Sequence, residues 1–214
     1  MERARTDLGF TLVELLVVVA VVGLLAGLAV AVIPQVLQSA DGADSLQRLR
    51  GLGQAMELYA TDHGDRFPGP LWPGQVPQFD PNREGRLVRE LADYLGVERR
   101  ASPYVVEAFI PRALRREMAG QPWEEVRVYV VRSEVEVGGE VVRPFGQLAG
   151  GRAAAGMRGW VAGLSKGSEW MIAETDQQHP TVATAPWRQW TPREPLHEGR
   201  RAVLMFDGSV RLEK

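Results

Sequence analysis

The hydrophobic and polar positions divide the chain into an apolar N-terminal segment and a mixed remainder. Residues 15–33 contain no polar or charged side chain, and Glu14 is the only charged residue between Leu12 and Ala40. As a helix, these 19 residues would span about 28 Å, close to the roughly 30 Å hydrocarbon core of a bilayer. The pattern therefore predicts a membrane-spanning helix over about residues 12–33.

A second helical pattern follows the apolar segment. Apolar side chains recur every three or four residues between Leu46 and Tyr59, which predicts an amphipathic helix over about residues 41–63. Pro34 lies between the two patterns, and because it lacks an amide hydrogen we expect it to kink the helix or end a segment. We therefore predict one long, interrupted helix over residues 10–63, whose second half packs on the rest of the chain.

Residues 64–214 have the pattern of a globular α+β head. Proline and glycine are dense between residues 62 and 84, which predicts a long loop, and helices are predicted over residues 86–97 and 104–118. Strand-type patterns then predict strands over residues 126–132 and 169–174, a hairpin over residues 133–143, and a glycine-rich loop over residues 146–159. A last hairpin surrounds Asp207-Gly208, for which we predict a two-residue turn with both residues at positive φ.

Composition and charge exclude several classes of protein. The chain has 25 Lys and Arg against 27 Asp and Glu, so its net charge of −2 indicates no basic face for nucleic acid. It has no cysteine, which excludes disulfides, thiolate metal sites and a cysteine nucleophile. Arg3 and Arg5 precede the apolar segment and Arg48 is the next basic residue, so the positive-inside rule predicts a cytoplasmic N-terminus and an external head.

The apolar segment alone leaves several kinds of targeting sequence open. It is longer than the apolar region of a typical secretory signal, which has about 7–15 residues. Small residues do occur near its end, including Ala29, Ala31 and Ala40, so cleavage by a signal peptidase stays possible on this pattern. A plain, uncleaved signal anchor is the other alternative.

The residues before the apolar segment distinguish among these alternatives. Residues 9–15 read Gly-Phe-Thr-Leu-Val-Glu-Leu, a motif that resembles the N-terminus of the type IV pilin and type II secretion pseudopilin superfamily. The resemblance implies that prepilin peptidase removes a leader, residues 1–9, by cutting between Gly9 and Phe10. It also implies that the new N-terminal Phe10 is N-methylated.

Glu14 is unusual because a carboxylate in a membrane span costs at least a few kcal/mol. The resemblance implies that its partner is the freed N-terminal amine of a neighbouring subunit, which would fix the register of assembly. Taken alone, Glu14 would equally fit the headgroup region, where water solvates it. Further along the helix, Gly23, Gly27 and Ala31 are spaced by four and predict a small-residue face for packing between helices, although such residues are also common in spans.

A second resemblance concerns the C-terminal part of the chain. His197 is followed by nine residues and then by Asp207-Gly208, and this pattern resembles that of a large prepilin-type, pilin-like family with an H-x9-DG motif. The sequence after the histidine is Glu-Gly-Arg, where many members have Pro-Gly-Gly. The resemblance implies an architecture and no particular reaction.

The head offers little chemistry beyond this motif. No P-loop, H-E-x-x-H, G-x-S-x-G or EF-hand spacing occurs, so we predict no enzyme activity and no cofactor. A hard cation such as Ca²⁺ prefers carboxylate oxygens, and Glu174, Asp176 and Asp207 are the candidate ligands for it. For His197 we expect a hydrogen-bonded loop residue in preference to a metal ligand.

These observations together predict a pilin-like α+β fold, in which a long N-terminal hydrophobic helix packs on a C-terminal globular head with an antiparallel sheet. The expected function is a structural subunit, a pseudopilin or minor pilin, of a type II secretion or type IV pilus-like filament. The expected partners are prepilin peptidase, other pilin-like subunits and an inner-membrane assembly platform. The expected location is the bacterial inner membrane, crossed once, or a filament. The alternative is a membrane-anchored extracytoplasmic binding module that is processed but does not polymerise.

Overall fold

The structure, a computed structural model, describes residues 11–137, 139–146 and 169–214, without the side chains of Ala31 and Pro34. The chain forms two compact units, Met1–Ala40 and Asp41–Lys214. The leader, Gly9 and Phe10 lie outside the described residues, as does the predicted glycine-rich loop from residue 147 onward.

The first helix, α1, extends over Leu12–Asp62. It continues through Pro34, so of the two outcomes expected there, a kink or the end of a helical segment, the second does not occur. In the first unit the large apolar side chains of α1 are exposed; Leu15, Leu24 and Leu28, for example, are each about 60% exposed or more. By length and composition α1 qualifies as a membrane span.

The part of α1 in the second unit is amphipathic, as its spacing predicted. Leu49, Leu52 and Met56 are almost completely buried in the main hydrophobic core. Gly53 lies where a Cβ would come within 3.1 Å of Leu204, so the helix backbone approaches the C-terminal hairpin closely.

Nine short strands follow α1 in the described part of the chain. They are β1 (Gly74–Gln75), β2 (Gln78–Phe79), β3 (Tyr104–Val105), β4 (Tyr129–Val131), β5 (Val135–Val137), β6 (Glu140–Val142), β7 (Trp170–Glu174), β8 (Arg201–Met205) and β9 (Val210–Glu213). Five of them form an antiparallel sheet in the order β1-β4-β7-β8-β9, while β2 pairs with β3 and β5 with β6. The predicted α+β fold with a C-terminal antiparallel sheet is therefore confirmed.

The sheet separates two groups of buried side chains, because successive residues of a strand point to opposite faces. Ala202 and Leu204 of β8 belong to the large core that includes α1. Val203 and Met205 belong to a smaller cluster, which Trp170 partly covers. Residues of β8 are thus buried on both faces, as expected for an inner strand.

The remaining helices are shorter than the sequence pattern predicts. The predicted helix over residues 86–97 reduces to α2 (Leu87–Glu90) followed by turns. The predicted helix over residues 104–118 divides into β3, a 3₁₀ turn (Glu107–Phe109) and α3 (Arg112–Glu117), which begins directly after Pro111. A last short helix, α4 (Pro180–Ala183), precedes a 3₁₀ turn (Arg188–Trp190).

The C-terminal hairpin is confirmed, but its turn differs from the prediction. Gly208 has φ +81° whereas Asp207 is not at positive φ, and the amide of Gly208 donates to the carbonyl of Met205. The amide of Met205 donates to the carbonyl of Ser209, so three residues form the loop and Gly208 occupies its left-handed position. The predicted two-residue turn is therefore wrong.

Candidate functional site

The N-terminal end of α1 carries the described part of the processing motif. The backbone amide and the hydroxyl of Thr11 donate to Oε2 of Glu14, at 2.8 and 2.7 Å. The amide of Glu14 donates in return to Oγ1 of Thr11, at 3.2 Å. This reciprocal arrangement is a capping box, in which the two side chains satisfy amides that the first helical turn leaves free.

Sequence reasoning missed this capping box, although Thr-x-x-Glu at residues 11–14 is its usual signal. The helix dipole adds to it, because a carboxylate in the first turn is favoured by the partial positive charge there. Glu14 therefore has a structural role within its own chain. Among the described residues only its Oε2 accepts hydrogen bonds, which leaves Oε1 available to another donor.

The predicted small-residue face lies on the same helix. A Cβ added at Gly23 or Gly27 would meet nothing within 4 Å in the described structure. The backbone of α1 is thus open to close approach at these two residues, which is the property that small-residue packing requires. Ala31 lies four residues, about one helical turn, after Gly27.

In the head, His197 belongs to a tight turn that brings it beside β7. His197 and Arg200 exchange both backbone hydrogen bonds, and the two residues between them, Glu198 and Gly199, have φ of +53° and +74°. The turn with two left-handed residues that was predicted at Asp207-Gly208 therefore occurs here instead.

The side chain of His197 is held by a buried carboxylate. Its Nε2 lies 2.9 Å from Oε2 of Glu174, and both side chains are at most 4% exposed. Oε2 of Glu174 also accepts the amide of Ala202 at 3.0 Å, whereas its Oε1 is buried without a partner in the described structure. His197 is thus the hydrogen-bonded loop residue expected from the sequence, and it connects the turn to the centre of the sheet.

The three candidate calcium ligands do not form a site. Asp176 makes a bidentate ion pair with Arg201, with distances of 2.7 and 3.2 Å. Asp207 follows the C-terminal end of β8, whereas Ala202, whose amide bonds Glu174, lies near the N-terminal end of that strand. Hydrogen bonds from Ser209 lower the pKa of the Asp207 carboxyl. Within the described residues no group of three His, Cys, Asp or Glu side chains could hold a metal ion. The three candidate carboxylates therefore do not come together as a calcium site: Asp176 pairs with Arg201, and Glu174 is bonded to His197.

Comparison with known proteins identifies the processing motif. Residues 5–30 match the family model of the prokaryotic N-terminal methylation motif. Searches of the curated proteins and of the solved structures found no significant match. The matched motif is the signal for type IV pilin-like prepilin processing, and α1, which begins within it, is long and apolar enough to cross a membrane.

Proposed function

We propose that this protein is a pilin-like structural subunit, a pseudopilin or minor pilin, of a type II secretion or type IV pilus-like filament. Prepilin peptidase cuts between Gly9 and Phe10, and Phe10 becomes the methylated N-terminal residue. The observation that carries the proposal is the methylation motif at residues 5–30, which contains the Gly9-Phe10 junction and Glu14 at the start of an exposed apolar helix.

The exposed apolar surface of α1 supports assembly through this helix. The large apolar side chains described between Leu12 and Leu37 are about half exposed or more in the isolated chain, and a surface of this kind needs lipid or other helices to cover it. Before assembly the inner membrane covers it, with the N-terminus in the cytoplasm and the head outside. After cleavage the helices of neighbouring subunits cover it in the filament core, where Gly23, Gly27 and Ala31 allow close approach.

Glu14 sets the register between subunits in this proposal. Its Oε2 is held by Thr11, and its Oε1 accepts the freed amine of Phe10 from a neighbouring subunit. A buried ion pair of this kind contributes little to stability but favours one alignment over others. The family pattern at His197 and Asp207-Gly208 contributes to the architecture of the head, and the proposal assigns no catalytic step to it.

Glu14→Ala tests this role in the organism that makes the protein. We expect cleavage and membrane level to match wild type, while the amount in the sheared surface or pseudopilus fraction falls by about tenfold or more. The matched control is Glu117→Ala, which removes an exposed carboxylate of the head. If Glu14→Ala enters the filament fraction as well as wild type does, the register role is wrong. If the wild type is cleaved but never enters that fraction, the protein is the processed, non-polymerising binding module.

A further inference from the structure

One side of the head contains an open cleft of about 610 Å³ that the filament proposal does not use. Two tryptophans, Trp72 and Trp187, and three arginines, Arg83, Arg86 and Arg127, line it. Its size lies in the range of about 300–1,000 Å³ that is usual for sites of small ligands. These residues come from separate segments of the chain, all within Asp41–Lys214.

The tryptophans are held in place and offer carbon surface to the cleft. The indole N–H of Trp72 donates to the carbonyl of Glu84 at 3.2 Å, and its backbone amide donates to the carbonyl of Gly85 at 2.9 Å. Trp72 nevertheless remains 48% exposed, so the polar atom of the ring is satisfied while much of its apolar surface is open. An exposed and fixed aromatic ring is a platform on which a ligand ring can stack.

Trp187 is fixed by its close approach to β1. A Cβ at Gly74 would lie 2.8 Å from two ring atoms of Trp187, so glycine is what permits this packing. The guanidinium of Arg127 lies over the ring, 5.8 Å from its centroid. The indole and the guanidinium therefore present a joined aromatic and cationic surface.

The arginines of the cleft have few anionic partners. Asp80 serves two of them, at 3.6 Å from Arg83 and 3.8 Å from Arg86. Arg127 donates to the backbone carbonyl of Glu125 and makes no ion pair with a carboxylate of the described residues. Burial lowers the pKa of Arg127 and of Arg86, because desolvation disfavours their cationic forms.

Three exposed glutamates, Glu84, Glu124 and Glu125, line the same cleft and restrict the kind of ligand. A densely charged ligand such as a polyphosphate or a nucleic acid would be repelled by these carboxylates. A sugar ring brings hydroxyl groups that donate to them, and a carboxylate on that ring matches the planar fork of an arginine. An acidic peptide has side-chain carboxylates but lacks rigid rings with hydroxyl donors.

We propose that this cleft binds an acidic saccharide, a chain of pyranose rings with carboxylate groups. The rings stack on Trp72 and Trp187, the carboxylate pairs with Arg83 and Arg127, and the hydroxyls donate to Glu124 and Glu125. Every residue of the site belongs to the unit Asp41–Lys214.

Isothermal titration calorimetry of the full chain in detergent tests this, with trigalacturonate as the probe. The comparison ligands are its neutral methyl ester and triglutamate, at one ionic strength. We expect trigalacturonate to bind and both comparison ligands to bind at least about tenfold more weakly. The methyl ester lacks the charge-assisted bonds to arginine, and triglutamate lacks rings that can stack on tryptophan. Equal binding of the ester or of triglutamate, or no binding of trigalacturonate, would overturn the proposal.

Variants then locate the binding. Trp72→Ala and Arg83→Gln change side chains at the surface of the cleft, and each should weaken trigalacturonate binding by about tenfold while the head remains folded at the temperature of the titration. Gly74→Ala should weaken it as well, because the new Cβ displaces Trp187. Arg99→Gln is the matched control, since Arg99 is an exposed arginine paired with Asp93 outside the cleft. Unchanged affinity in Trp72→Ala and Arg83→Gln would place the binding elsewhere and refute the proposed site.

Discussion

Replacing His197 by alanine should destabilise the head by about 3–5 kcal/mol, because it breaks a buried pair at the centre of the sheet. The side chain of Glu174 is only 2% exposed, and its Oε1 already lacks a partner in the described structure. Without Nε2 of His197, the carboxylate retains only the amide of Ala202. A lost hydrogen bond to a charged group costs about 1.5–3 kcal/mol, and the uncompensated burial of the carboxylate adds the remainder.

Thermal and urea unfolding of the detergent-solubilised chain, followed by near-ultraviolet circular dichroism, measures this loss. At about 2–4 °C per kcal/mol, the thermal midpoint should fall by about 10 °C. Glu174→Gln provides the second variant of a double-mutant cycle, and the two substitutions should be non-additive by about 1–3 kcal/mol. The control is His63→Ala, which removes an exposed histidine bonded to the carbonyl of Tyr59 and should cost about 1 kcal/mol or less. A cost below about 1 kcal/mol for His197→Ala would refute the structural role of the pair.

Further predictions concern His179 and two glycines. Burial, followed by the charge of Arg201, lowers the pKa of His179 to about 4 from its ordinary 6.5, and its Nδ1 accepts the amide of Thr181. As the pH falls, the unfolded chain therefore binds a proton at His179 before the folded chain does, which lowers stability. Between pH 7 and pH 5, wild type should lose about 2 kcal/mol more stability than His179→Asn, as measured by urea unfolding at both pH values. Equal losses in the two proteins would exclude this linkage. Gly208→Ala should cost about 1 kcal/mol of stability because Gly208 has φ +81°. Gly51→Ala should instead stabilise the chain by about 0.5–1 kcal/mol, because Gly51 is helical and a Cβ there would meet nothing within 4 Å. A stabilising Gly208→Ala or a destabilising Gly51→Ala in thermal unfolding would contradict the described backbone.

Local patterns were enough to predict the long helix and the hairpins. The three- and four-residue spacing from Leu46 to Tyr59 identified the buried face of α1, and the strand pattern of residues 169–174 identified β7. The turn at Asp207-Gly208 was mispredicted because a three-residue loop and a two-residue loop share the same Asp-Gly signal. Strands β1 and β2 were missed because two residues are too few to show an alternation.

The sites divide in the same way between local and tertiary information. The motif from Gly9 to Glu14 is local, so it could be recognised in the sequence. The capping box of Thr11 has a local signal as well, although sequence reasoning missed it. The pairing of His197 with Glu174 joins residues 23 positions apart and depends on the sheet. The cleft between Trp72 and Trp187 brings together still more distant segments, and no motif marks it.

The mass and sequence of the mature N-terminus test the central claim most directly. The chain should be isolated from membranes of the organism that makes it, with Gly9→Val as the variant that blocks cleavage. For wild type, N-terminal sequencing and mass spectrometry should show a chain that begins at N-methylated Phe10, without residues 1–9. For Gly9→Val the uncut chain should accumulate. A wild-type chain that retains Met1–Gly9, or that is cut after residue 33, would contradict prepilin processing.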